Sequence, residues 1–130
     1  MEKPNVNTEF EYNGKKYWFD VEDVECMSRY KKSAEKLSEL LIKQPEDGDV
    51  IEYMTRSCGS FRDFFDEILG DGAGIALCGE RLNVRCHTEA YAAFLEFVEK
   101  QAEAGRQFKY AIADTYMNRA QRRAAAKAKK

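Results

Sequence analysis

The sequence has one histidine, two prolines, and no apolar run approaching the roughly 20 residues of a membrane span. Its opening residues, MEKPNVNTEFEY, hold no apolar stretch of the kind that directs secretion, so an intracellular protein is expected. Cys26, Cys58, Cys78 and Cys86 lie far apart with no Cys-x-x-Cys pair, which argues against a disulfide framework. Cys26 and Cys58 sit inside apolar helical patterns and are expected as small buried hydrophobes.

Catalytic and cofactor chemistry has little to work with. A structural zinc site wants four nitrogen or sulfur ligands; of these only Cys78, Cys86 and His87 are close in sequence, and adjacent Cys86 and His87 rarely reach one ion from regular backbone. A Cys-His nucleophile needs a base within reach and an orienting group, and the sole histidine adjoins a cysteine whose side chain points elsewhere in most backbones. The stretch GDGAG at 70–74 follows a helical pattern rather than a strand, and no Lys-Ser/Thr comes after it. It therefore lacks the strand–loop–helix context of a phosphate cradle and reads as a helix stop and bend. No enzyme, cofactor or metal is expected.

What the sequence does contain is a strong charge asymmetry. Residues 105–130 carry eight basic residues and one acid, a charge of +7, which leaves −9 for residues 1–104 of a chain whose net charge is −2. A length of 130 residues suffices for one domain with its own core. That domain is placed at 1–116, followed by a basic, flexible tail at 117–130.

Asn13-Gly14 between two β-rich runs is a strong hairpin signal, because a type I′ turn needs positive φ at both central residues. The hairpin is expected over 5–21, with Val6, Thr8, Phe10 and Tyr12 sharing one face of the first strand, Tyr17, Phe19 and Val21 sharing a face of the second, and Trp18 pointing the other way. Apolar residues from Val24 to Leu41 recur at helical spacing and predict a helix over about 21–43, stopped by Pro45. A second helix is predicted over 49–69, capped by Asp49 and carrying Val50, Ile51, Met54, Cys58, Phe61, Phe64/Phe65 and Ile68/Leu69 as one stripe. The stripe keeps its phase through Gly59, so one unbroken helix is favoured there, and Gly70 ends it. After an irregular link with Leu82 and Val84 turned inward, Thr88 is read as the cap of a helix over 88–104. Gly105 then closes it before a last helix over 106–117. The fold class is α+β, mostly α: an N-terminal β-hairpin packed on a bundle of about four helices. Phe61, Phe64, Phe65, Tyr91, Phe94 and Phe97 read chiefly as core, although Phe65 and Phe97 sit slightly off the main stripes.

FFDEILGDGAGIALCG, followed by a short link and TEAYAAFLEFV, resembles the tail assembly chaperones of long-tailed phages of Gram-positive hosts. The ending NRAQRRA and the N-terminal NG hairpin resemble them too, so the likeness spans roughly 5–125. The resemblance implies a non-enzymatic protein that binds the tape measure protein, assists polymerisation of the tail-tube protein around it, and acts in the host cytoplasm without entering the mature virion. On that reading the partner surface is expected at Phe65, Phe97, Arg119, Arg122 and Arg123, with self-association left open. A tail or head-completion structural protein, and a nucleic-acid-associated regulator using the basic tail, stand as the alternatives. The tail past Tyr116 has no stacking aromatics, so nucleic acid is not favoured as the main partner.

Overall fold

The computed structural model describes residues 6–43 and 48–128, with side chains of the last helix described as far as Gln107. Two short strands, β1 (Glu9–Tyr12) and β2 (Lys15–Trp18), form an antiparallel hairpin. Asn13 and Gly14 make the two-residue turn with φ of 50° and 72°, the left-handed backbone that Asn-Gly tolerates best. Phe10 and, just beyond β2, Phe19 are buried, whereas Trp18 faces solvent as its parity requires.

Four helices follow: α1 (Val24–Ile42), α2 (Val50–Leu69), α3 (Ala73–Cys78) and α4 (Val84–Ala128). The fold is thus α+β and mostly helical. Asp23 caps α1 by accepting the Cys26 N–H at 2.9 Å, so the helix begins at Val24, a few residues later than the expected start near 21. Asp20 instead closes the preceding turn by accepting the Glu22 N–H. Asp49 caps α2 as anticipated, accepting from the Glu52 N–H. The helix runs without a break through Gly59. Pro45, expected to stop α1, lies outside the described residues.

The C-terminal third differs from expectation. A single helix, α4, replaces the two helices predicted over 88–104 and 106–117, and it continues through most of the segment read as a flexible tail. It begins at Val84 rather than at Thr88, because Asn83 accepts the Cys86 N–H at 3.0 Å. Thr88 turns its hydroxyl back onto the Arg85 carbonyl. Gly105 does not stop the helix. An interior glycine costs a helix about 1 kcal/mol and no more, and this one is buried where a Cβ would run into the Glu22 carboxylate. Beyond it, alanine, arginine, lysine and glutamine are good helix formers. Leu82, expected to point inward, is 51% exposed in the link before α4.

Aromatic rings make the core. Phe94 of α4 sits at its centre, fully buried, with its ring centroid 5.1 Å from Phe19, 5.2 Å from Phe10, 5.8 Å from Phe65 and 6.0 Å from Phe64. Most of these pairs meet edge to face, the arrangement the ring quadrupole favours. One position, Phe94, thereby ties the hairpin, α2 and α4 together.

Candidate partner surface

The chemistry-bearing residues are held in a packed junction. Arg62, on α2, donates from Nε to His87 Nε2 at 3.1 Å and from Nη2 to the carbonyls of Gly79 and Glu80 at 2.9 and 3.1 Å. His87 Nδ1 lies 2.7 Å from the Asn83 carbonyl. The imidazole therefore donates from Nδ1 and accepts at Nε2, which defines a neutral ring. Burial, with the Arg62 charge adding to it, holds the His87 pKa below the usual histidine value. Cys78 is buried nearby, and desolvation pushes its thiol up to about 12, so it stays protonated at neutral pH. The group closes the junction of α2, α3 and α4. No cluster of three or more His, Cys, Asp or Glu arranged for a metal occurs among the described residues.

The glycine-rich bend has an equally specific purpose. The Gly74 N–H donates to Asp66 Oδ1 at 2.7 Å, so an α2 carboxylate caps the first turn of α3. At Gly74 a Cβ would lie 2.5 Å from the Arg62 carbonyl oxygen. Only glycine lets α3 approach the α2 backbone this closely. Gly70, with φ of 111°, ends α2 as expected.

Gln101 is a polar residue that sequence reasoning passed over. It is 3% exposed and uses both ends of its amide: Nε2 donates to the Asn7 and Phe19 carbonyls at 2.6 and 2.7 Å, and Oε1 accepts the Val21 N–H at 2.9 Å. It fastens both outer ends of the hairpin to α4. Its partners lie 80–94 residues away, so no local pattern announces them.

The residues expected to meet a partner separate into three cases. Phe65 is fully buried, stacked edge-on against Phe64 and Phe94, so it belongs to the core and offers no surface. Its position off the main stripe reflects a helix that is covered on more than one side. Phe97 is half-buried, 5.3 Å from Phe10 and 6.2 Å from Phe94, and its outer side lines a cleft along β1. Arg119, Arg122 and Arg123 lie on the α4 backbone, and their side chains fall outside the described residues.

A different apolar surface stands open. Leu40 and Ile42 end α1, and Val50, Ile51 and Met54 begin α2; they are 44%, 76%, 64%, 71% and 38% exposed. The Tyr53 hydroxyl donates to the Leu41 carbonyl at 3.2 Å and holds the two helix ends together. Glu39, Lys43, Asp49 and Glu52 are the exposed charged residues nearest in sequence, and Glu52 pairs with Arg56 at 3.3 Å. Leu40, Val50, Ile51 and Met54 were read as the outer ends of core stripes, and Ile42 was not singled out. Their place next to the interhelical loop, where the fewest elements can cover them, is the signal that distinguishes them.

The fold is a small helical domain with an N-terminal hairpin, an aromatic core and an apolar tip. The chain belongs to the DUF6673 family, a family of unknown function, whose model matches residues 13–126. No curated protein and no solved structure matches the chain.

Proposed function

We propose that the chain is a non-enzymatic tail assembly chaperone of long-tailed phages or prophages. It binds the tape measure protein in the host cytoplasm, keeps its apolar helical segments soluble while the tail-tube protein assembles, and leaves before the virion is complete. The observation that carries this reading is the exposed tip of Leu40, Ile42, Val50, Ile51 and Met54. Exposed apolar residues gathered at one end of a helix pair mark a protein contact, and a contact of modest area suits a partner that must later be released. A partner helix would lay its apolar stripe there, with basic flanks toward Asp49 and Glu52. The resemblance of residues 61–98 and of NRAQRRA to such chaperones supports the same reading.

Co-expression with a phage tape measure protein tests the proposal. The parent chain is expected to bring that protein into the soluble fraction, and a chain with Ile42→Lys and Ile51→Lys is expected to fail while remaining folded. Equal solubility with both chains would remove the tip from the function. Replacing Arg119, Arg122 and Arg123 by glutamate asks the same of the basic segment. Recovery of the chain in purified particles would instead favour a resident structural component. A salt-dependent complex with duplex DNA, lost on deleting 117–130, would favour the nucleic-acid reading.

A further inference from the structure

The hairpin has an open edge that the proposed function does not use. Tyr12 and Lys15 flank the two-residue turn and exchange hydrogen bonds, so the alternation of an antiparallel ladder sends the N–H and C=O of Glu11 away from β2. The Phe19 N–H, which donates to the Thr8 carbonyl at 2.9 Å, keeps the same parity. Farther back, the Glu9 N–H is closed off locally by Asn7 Oδ1 at 3.0 Å, but its carbonyl also faces outward. The Glu9 carbonyl and both main-chain groups of Glu11 have no hydrogen-bond partner among the described residues. An unpaired strand edge of this kind is a template for another strand.

A cleft of about 340 Å³ runs along that edge. Its walls are β1 on one side and Ala93, Glu96, Phe97 and Lys100 of α4 on the other; β2 contributes nothing to it. A smaller hollow of about 180 Å³ extends it past Phe97 toward Val6 and Ala104. Phe10, Ala93 and Phe97 supply the apolar part of the larger cleft, whose lining is otherwise polar, and the smaller hollow is mostly apolar. The charged groups along the larger cleft are three carboxylates, Glu9, Glu11 and Glu96, against one ammonium, Lys100, which is paired with Glu96 at 3.2 Å; Glu9 in turn lies 4.0 Å from Lys16 of β2, which leaves Glu11 without an ion pair among the described residues.

From these features we infer that β1 receives an extended segment of a partner protein as a third strand, one in which apolar residues alternate with lysine or arginine. Main-chain hydrogen bonds to Glu9 and Glu11 supply the pairing, and alternate side chains supply the specificity. Apolar side chains enter the cleft beside Phe97 and Ala93. The basic side chains lie on the solvent face next to Glu9 and Glu11, where opposite charges on neighbouring strands attract. A second copy of this chain is a poor occupant, because β1 against β1 would set the glutamates of the two copies side by side. The segment is extended, so this surface is separate from the tip and from any helix bound there.

The test titrates the full-length, nitrogen-15-labelled chain with a short alternating Val-Lys peptide, using an alternating Val-Glu peptide as control. The Val-Lys peptide is expected to shift the Glu9–Glu11 amides, slow hydrogen exchange at the Glu11 N–H, and bind more weakly as salt rises. Glu11→Pro removes the outward N–H at an edge position where proline is tolerated, and is expected to weaken binding by roughly tenfold, the worth of one main-chain hydrogen bond. Ala93→Arg, which fills the cleft from α4, is expected to do the same and carries the test if Glu11→Pro disturbs the hairpin. The inference is overturned by absence of binding, by shifts confined to Ile42–Ile51, by equal affinity for the Val-Glu peptide, or by variants that bind as tightly as the parent. Dimerisation of the free chain through β1 would overturn it as well.

Discussion

The two halves of α2 have the same kind of sequence and opposite fates. Both carry apolar residues at helical spacing, and one stripe runs the length of the helix. Yet every buried residue of α2 lies at or beyond Ser57: Ser57, Cys58, Ser60, Phe61, Phe64, Phe65 and Ile68. Upstream, Val50 and Ile51 are 64% and 71% exposed. The difference is in what stands opposite. The later half meets α1, α3 and α4, with Gly74 pressed against Arg62 and Phe94 against Phe64 and Phe65. The early half has the end of α1 beside it, through Tyr53 and Leu41. Periodicity therefore says which side of a helix faces a neighbour, and not whether the neighbour is present.

The covered half should fail when its centre is hollowed. Phe94→Ala removes a fully buried ring that touches the hairpin, α2 and α4 together, so a loss of about 3–5 kcal/mol is expected in denaturant unfolding. A loss below about 1 kcal/mol would mean that the aromatic centre can collapse around the void and is less close-packed than its geometry implies.

A smaller effect, still on the covered side, is expected from Gly74→Ala. The added methyl would sit 2.5 Å from the Arg62 carbonyl oxygen and 2.6 Å from its Cα, both rigid backbone atoms. Helix propensity alone predicts a gain of about 1 kcal/mol for this change in a helix interior. Overpacking costs about 1–3 kcal/mol and should win, because α3 can relieve the clash only by moving off α2 and stretching the Gly74–Asp66 hydrogen bond. A stabilised variant would show that α3 is free to shift.

Much of this contrast was legible in the sequence, and what was not has definite causes. Asn13-Gly14 announces the hairpin because the residue types and the backbone requirement coincide. Phe61, Phe64 and Phe94 announce the core because their spacing and their size agree. The stop assigned to Gly105 was wrong for a reason that local sequence does not hold. A glycine there answers the approach of Glu22, a residue of the turn before α1. Gln101 is similar: among apolar neighbours it looks like one polar interruption, and only the folded chain brings Asn7, Phe19 and Val21 to it. Phe65, read chiefly as core, was also expected at the partner surface for the converse reason, since one stripe was assumed where α2 is enclosed on several sides.

Acid should also act on the covered half before it acts on the tip. His87 is buried neutral, and its pKa is lowered by burial and by Arg62. The unfolded chain therefore binds the proton more readily, so stability is full above the unfolded value of about 6.5 and is lost as pH falls through the folded one. Unfolding midpoints are expected to decline as pH falls below about 6.5, and the decline should flatten in His87→Gln. Glu67, whose pKa is lowered by the Ser33 and Lys36 hydrogen bonds against the opposing effect of burial, contributes lower on the scale. Its contribution is present above about 4.3 and lost as pH falls through its folded value. A steep loss starting only in that lower range, with none near neutrality, would separate His87 from the effect.

The smallest change in stability is expected where the apolar surface is greatest. Ile42→Lys with Ile51→Lys alters two side chains that are 76% and 71% exposed, so unfolding should shift by no more than about 0.5 kcal/mol. Neither side chain leaves a cavity when replaced, and lysine keeps its stem along the helix with its charge in water. The surrounding acids, Glu39, Asp49 and Glu52, make a positive charge easier to hold there rather than harder. The same pair should reduce binding of an apolar dye and lower any tendency of the isolated chain to associate, because the exposed patch has been divided. A cost well above 1 kcal/mol would carry the opposite lesson: the early half of α2 would then be covered in solution, by a second copy or by part of the chain itself, and the two halves would differ in the identity of the neighbour rather than in its presence.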